Sequence, residues 1–385
     1  MIVQYRRDRI FWLVSLQTGI YGFFMGGFGP ALPLLQTEQG VSGAIAGLHG
    51  TALGVSSILA GALNSRIVHR FGRYKAAWLG IALFLFGAIA FVILPDPSQT
   101  IPAAFVIGMG ISVAIANTVT YLAGHYKTQA QRAVSQNNAV TSAFNLIGTV
   151  TIGLIATTAI SWRLGLLACI PFAAILYFRF ARHHKPEHLP DDEGHQKGSL
   201  PIKYWLAWLG LFASIAAEFA VIFWSAALIR ERTFVSPALA TTLVLAFPLG
   251  MFLGRWFGTN FFPNISIDQR LKVFITLQIL GFFIFWTSEV VITTFIALLF
   301  VGLGTSIQFT LTTLRLLNLG RPKTDLAMGR SSFAAGIAIA GSPLLLGALA
   351  DQLGITRAFL IVPGFMALAL LIIYLVPVKE SADEL

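Results

Sequence analysis

The chain has 385 residues, 56% of them hydrophobic and 11% charged. Soluble globular proteins carry roughly 25% charged residues, so this composition excludes a fold whose whole surface meets water. A net charge of +10 would suit a nucleic-acid binder, but the placement of the charges assigns them another role.

Twelve apolar runs succeed one another, at 10–35, 41–63, 76–94, 101–124, 136–159, 163–181, 204–229, 237–258, 271–288, 290–314, 328–349 and 355–377. Each approaches the ~20 residues that cross a ~30 Å hydrocarbon core as a helix. Open strands would leave backbone groups unsatisfied in lipid, and the short alternating segments of an outer-membrane barrel are absent. The prediction is an all-α membrane protein with 12 transmembrane helices.

The first run follows Arg6, Arg7 and Arg9 in the manner of a signal peptide, but it is too long for one and reads as a retained first helix. Within it Gln17 and Tyr21 share a helix face, and Gly22, Gly26, Gly27 and Gly29 permit close helix contact. His49 in the second span reads as a hydrogen-bonded packing histidine or as a proton relay. Asn117 and Tyr121 share a face of the fourth span. Cys169 is the single cysteine, which excludes an intrachain disulfide and a cysteine cluster for zinc. The one long polar stretch, 182–203, contains histidines that match no compact ligand spacing, and it reads as a solvated linker. It divides the chain into 1–181, 182–203 and 204–385.

Span seven contains Ala213-Ser-Ile-Ala-Ala-Glu-Phe-Ala-Val-Ile-Phe-Trp-Ser-Ala-Ala-Leu228, with one acid, Glu218, and no basic residue from Tyr204 to Ile229. An acid at the centre of a lipid-embedded helix costs about 2.5–3.5 kcal/mol on insertion scales, which disfavours a lipid-facing position. Desolvation opposes its charge and suits it to bind and release a proton as a cavity opens to each side; the alternative is a structural acid bonded to a hydroxyl or to His49. Ser214, Glu218 and Ser225 lie on one stripe. In span ten Thr305, Gln308, Thr312 and Arg315 follow i, i+3, i+7, i+10. Such stripes read either as helix–helix glue, worth ~0.6 kcal/mol per bond, or as the lining of a wet path. Arg315 reads as an anion-binding fork or as an interfacial residue that snorkels.

With the N-terminus in the cytoplasm, 22 of the 26 Lys and Arg fall in or beside cytoplasmic connections, and only Arg163, Arg230, Arg232 and Arg357 fall outside. The positive-inside rule therefore places both termini in the cytoplasm. The basic residues are a topology signal with attraction for anionic lipid headgroups, and no nucleic-acid partner is expected. The halves align at a shift of 194 residues. Ile107-Gly-Met-Gly-Ile-Ser112 falls on Val301-Gly-Leu-Gly-Thr-Ser306, Leu85-Phe-Gly87 on Ile279-Leu-Gly281, and Gly153, Ala156 and Arg163 on Gly347, Ala350 and Arg357. Six helices per half make this a parallel repeat, which places a site near the midplane between two pseudo-symmetric bundles.

The loop after span two, Ser65-Arg-Ile-Val-His69-Arg70-Phe-Gly72-Arg73-Tyr-Lys75, resembles the signature loop of the major facilitator superfamily. Arg70, Gly72, Arg73 and Lys75 match its pattern, while Ser65 replaces a Gly and His69 an Asp. Gly347-Ala-Leu-Ala-Asp351-Gln-Leu-Gly354 resembles that family's link into the last span. The resemblance implies a monomer that moves a small-molecule substrate by alternating access. It implies a central cavity lined by spans one, four, seven and ten, with Arg70, Gly72, Arg73 and Lys75 in a gating loop. On that basis the expected cavity residues are Gln17, Tyr21, Asn117, Tyr121, Ser214, Ser225, Thr305, Gln308, Thr312 and Arg315, and Glu218 couples transport to protons. Export of hydrophobic compounds is a second reading. It is weakened because span four lacks the exporters' Arg and span five, Asn145-Leu-Ile-Gly148-Thr-Val-Thr-Ile-Gly153, lacks their Gly-Pro-rich motif. A non-transporting receptor or scaffold is a third. No Walker loop, HExxH pair or metal-spaced His/Cys set is present, so neither enzyme chemistry nor a cofactor or metal is expected. The expected location is the plasma membrane, the inner membrane of a bacterium.

Overall fold

A computed structural model describes residues 6–126, 129–180, 198–257, 265–321 and 323–378, which contain no strand. The chain runs through α1 (Arg9–Phe28), α2 (Leu32–Gln39), α3 (Gly43–Phe71), α4 (Arg73–Ile93), α5 (Pro97–Tyr126), α6 (Ala130–Ile155), α7 (Trp162–Leu166) and α8 (Cys169–Phe180). It continues with α9 (Ile202–Thr233), α10 (Pro237–Leu243), α11 (Ala246–Phe257), α12 (Ile267–Thr287), α13 (Val291–Thr305), α14 (Gln308–Gly320), α15 (Thr324–Leu353), α16 (Ile355–Ala358) and α17 (Ile361–Leu375). They supply 12 stretches long and apolar enough to cross a membrane. Spans six, eight, ten and twelve are each two successive helices (α7–α8, α10–α11, α13–α14 and α16–α17) where the sequence predicted one. Residues 182–197 of the expected linker lie outside the described residues.

Helix starts follow the local chemistry. Asp8, Ser42, Ser236 and Ser266 each accept the amide of the residue three further on, and Ser266 completes a capping box with Gln269. Burial opposes ionisation of Asp8, but the Phe11 amide, the His125 ring and the Tyr126 hydroxyl outweigh it and hold the carboxyl below its ordinary value. Asp8 thereby ties the start of α1 to the end of α5. Between α3 and α4 the chain turns at Gly72, whose φ of 76° favours glycine.

The repeat is visible in how helices touch. A Cβ at Gly108 would meet Leu53, and one at Gly302 would meet Phe247, the residue 194 positions after Leu53. In the same way Gly110 faces Phe84 while Gly304 faces Gln278, and Gly87 faces Ala103 and Ile107 while Gly281 faces Ala297 and Val301. Equivalent small residues thus let equivalent spans approach in both halves. In the first half Gly26 sits against the Asn145 carbonyl, and Thr149 donates to the Gly26 carbonyl at 2.7 Å.

An even number of spans puts both chain ends at one face of the bundle, the terminal face. At the opposite face the two halves are closed on each other along α3 and α15. The amides of Gly43 and Ala44 donate to the Asp351 carboxylate at 2.7 and 2.8 Å, and Thr51 donates to the Ala340 carbonyl at 2.7 Å. Gly47 and Gly54 of α3 rest on Pro343–Leu344 and Ala340. Two turns further toward the terminal face, on the same side of α3, a Cβ at Gly61 would meet nothing within 4 Å.

Candidate functional site

Between the halves, at mid-depth, lies a cavity of about 310 Å³. Its wall comes from Tyr21, Gly22, Met25 and Gly26 of α1, Leu53 and Ser57 of α3, and Gly108, Ile111, Ser112 and Ile115 of α5. Thr141, Asn145 and Thr149 of α6 and Glu218, Phe219 and Ile222 of α9 follow, then Phe247, Pro248, Met251 and Arg255 of α11, with Ile339 of α15 and the connecting residues Pro30 and Val244. Spans one, four and seven contribute as the family resemblance implied. Spans two, five, eight and eleven supply the rest of this cavity's wall, and span ten supplies none of it.

Of the predicted residues, Tyr21 and Glu218 face the cavity. The others lie off its wall, and in most cases a nearby partner explains why. Asn117 donates to Asn64 at 2.7 Å and to the Val113 carbonyl at 2.8 Å. Tyr121 packs on the Tyr74 ring, 6.3 Å away. Ser225 donates to the Val221 carbonyl at 2.6 Å, and Ser214 and Thr312 are buried. Gln17 is buried, and among the described residues its amide nitrogen has no hydrogen-bond partner. In span ten the stripe faces span nine: Gln278 donates to Thr305 at 2.9 Å, and Gln308 donates to Gln278 at 2.6 Å. His49 is buried off the cavity wall, with Nδ1 3.0 Å from the Ala46 carbonyl and Nε2 2.9 Å from the Thr100 hydroxyl. In the loop, Arg70 and Lys75 are exposed and Arg73 is partly buried.

Arg315 is tied into its own half. It is 1% exposed, its Nε donates to Asp268 at 2.6 Å, and its Nη2 donates to the Val376 carbonyl at 2.6 Å. Asp268 also accepts the Val378 amide at 2.9 Å, so the pair pins the end of the last span to the start of span nine. Breaking a buried pair by removing one partner costs about 3–5 kcal/mol. Arg315→Ala is therefore expected to lower the melting temperature in detergent, with transport per folded molecule unchanged. Lost transport at an unchanged melting temperature would place Arg315 on the cargo path instead.

Sequence reasoning missed Arg255. It counted as one more basic residue of the cytoplasmic side, yet it lies inside the apolar run 237–258, and that position was the available signal. Its Nε donates to the Ser306 carbonyl at 3.2 Å in its own half, and its Nη1 donates to the Ser142 hydroxyl at 2.8 Å in the other half. Glu218 and Arg255 are the two charged groups of the wall. Both line the same cavity, and among the described residues Glu218 accepts no hydrogen bond and the two form no direct ion pair.

A model described as Major Facilitator Superfamily matches residues 14–322. The chain belongs to the Major Facilitator Superfamily. It shares the fold of that family's transporters and is a multi-pass membrane protein. Among solved structures, the xylose transporter XylE from E. coli, in a partially occluded inward open conformation, is similar with a TM-score of 0.75 at 14% identity, covering 97% of this chain and 98% of that one. The nucleoside transporter NupG gives 0.74 at 12% identity, covering 96% and 99%. An inward-facing bacterial homologue of the human lysosomal transporter Spinster gives 0.72 at 12% identity, covering 97% of each chain. A comparison with curated protein sequences gives no match.

Proposed function

We propose that this superfamily member is a proton-coupled secondary transporter of a small organic solute, working by alternating access in a bacterial inner membrane with both termini cytoplasmic. The observation that carries the reading is Glu218, a carboxyl group without a hydrogen-bond donor, on the wall of a cavity closed at the face opposite the termini. Rocking of 1–181 against 204–385 would open that face and close the other. A carboxyl group that meets each side in turn can take a proton from one and give it to the other. The neighbours named for xylose and nucleoside transport agree with a small polar or amphipathic cargo.

The apolar wall of Phe219, Ile222, Phe247 and Met251 also favours the exporter reading. Reconstitution separates the two. Proteoliposomes with an imposed pH gradient should accumulate a solute from a metabolite panel, with counterflow of that solute saturable. Absence of counterflow for every panel member, together with raised drug resistance in cells that make the protein, would favour export.

A further inference from the structure

We infer that the cargo is a small amphipathic monoanion, a monocarboxylate in chemical type, whose charged group sits on Arg255. The inference rests on the proton-coupled reading above and adds the substrate class. It starts from how Arg255 is held. Two of its nitrogens are bound by opposite halves of the protein, Nε by the Ser306 carbonyl and Nη1 by the Ser142 hydroxyl. This fixes the guanidinium plane and leaves Nη2 without a protein hydrogen bond among the described residues. Asn145 and Ser112 are also on the wall, and among the described residues their side chains make no hydrogen bond either. The site therefore offers one charge-assisted donor and neutral donors beside it, with an apolar surface from Phe219, Ile222, Phe247 and Met251 for the rest of the solute. The cavity of about 310 Å³ is of the size that takes a small organic solute.

Charge balance selects the class. The titratable and charged groups facing Glu218 across the cavity are Arg255 of α11 and the Tyr21 hydroxyl of α1; the wall residues of α3, α5, α6 and α15 add none. Empty, with Arg255 charged and Glu218 ionised, the wall carries no net charge. A monoanion that takes over as the counter-charge of Arg255 releases Glu218 to bind a proton, forming one O–H bond at the carboxyl group, and the loaded cavity is again neutral. A neutral solute with one proton would leave one positive charge enclosed, and a cation with one proton would leave two. An unpaired enclosed charge is costly in a low-dielectric interior. One anion and one proton moving together therefore let both the empty and the loaded protein pass through a closed state without that penalty.

The test uses the purified full chain in detergent, lightly buffered, with a pH-indicator dye and a thermal melt. The probes are butyrate, hexanoate, octanoate and benzoate, set against benzamide, benzylamine and phenylalanine as matched neutral, cationic and zwitterionic molecules. One or more acids should raise the melting temperature while the other three do not, and binding should draw about one proton per acid from solution. Arg255→Gln should weaken acid binding roughly thirtyfold or more. Arg255→Lys should recover part of it, because an ammonium keeps the charge but lacks the fork. The class is overturned if no acid binds, if benzamide, benzylamine or phenylalanine stabilises the protein as strongly, or if Arg255→Gln leaves acid binding unchanged. Acid binding that is lost in Arg255→Gln but draws no proton would support the anion class and sink the proton reading. Gradient-driven flux of benzylamine or benzamide without acid binding would do the reverse.

Discussion

Proteoliposomes containing Glu218→Gln should exchange solute across the membrane but fail to accumulate it. A pH difference of one unit is worth about 1.4 kcal/mol, which supports about tenfold accumulation by a transporter that couples one proton to one solute. The carboxamide matches the protonated carboxyl group in shape and is permanently uncharged. It copies the loaded form and removes the step in which the proton leaves. Downhill counterflow needs no such step once solute occupies both sides, so it should persist. The accumulation ratio under a one-unit gradient should fall from about ten toward about one. If the variant accumulates solute with unchanged pH dependence, Glu218 has no part in coupling.

Gly54→Leu should produce a folded protein that cannot close the face opposite the termini. A Cβ at Gly54 would lie 2.6 Å from Ala340 Cα, nearer than real Cβ atoms approach. Ala340 belongs to the other half, and the contact exists in one arrangement of the halves. Overpacking costs about 1–3 kcal/mol, enough to invert an equilibrium between conformers that differ by a few kcal/mol. Spin labels at Ala44 and Leu349 on a background without Cys169 should show a longer distance in the variant, and transport should slow. Gly302→Leu provides the contrast. Its Cβ would press on the Phe247 carbonyl within one half, where no rocking relieves it, so that variant should be lost as folded protein. Unchanged label distances and transport in Gly54→Leu would show that α3 and α15 do not form the gate.

The site was legible in the sequence only where burial in lipid leaves a residue one place to go. Glu218 is an acid amid twenty-six residues that carry no base, from Tyr204 to Ile229, and its cost in hydrocarbon pointed to a cavity. The polar stripes carried less information, because a hydroxyl in a helix can satisfy itself locally. Ser225 bonds the Val221 carbonyl, and Thr305 bonds the Val301 carbonyl. Gln308 looked like a wall residue and is a link to Gln278, a partner 30 positions away that no helical spacing within span ten reveals. Arg255 and Arg315 show the same ambiguity from the other direction. Both sit near the end of an apolar run, and the positive-inside rule accounts for each equally well.

Length, apolar runs and the 194-residue repeat determined by themselves that this is a twelve-span bundle of two similar halves, because a bilayer demands helices of one length and a duplication preserves its glycines. Which face of each span meets water was decided only by the packing of the two halves. Helical periodicity orients residues relative to their own axis, whereas a cavity is a relation among axes. Arg255 became the counterpart of Glu218 because α11 and α9 bring them to one space, with Ser142 of α6 reaching in from the other half.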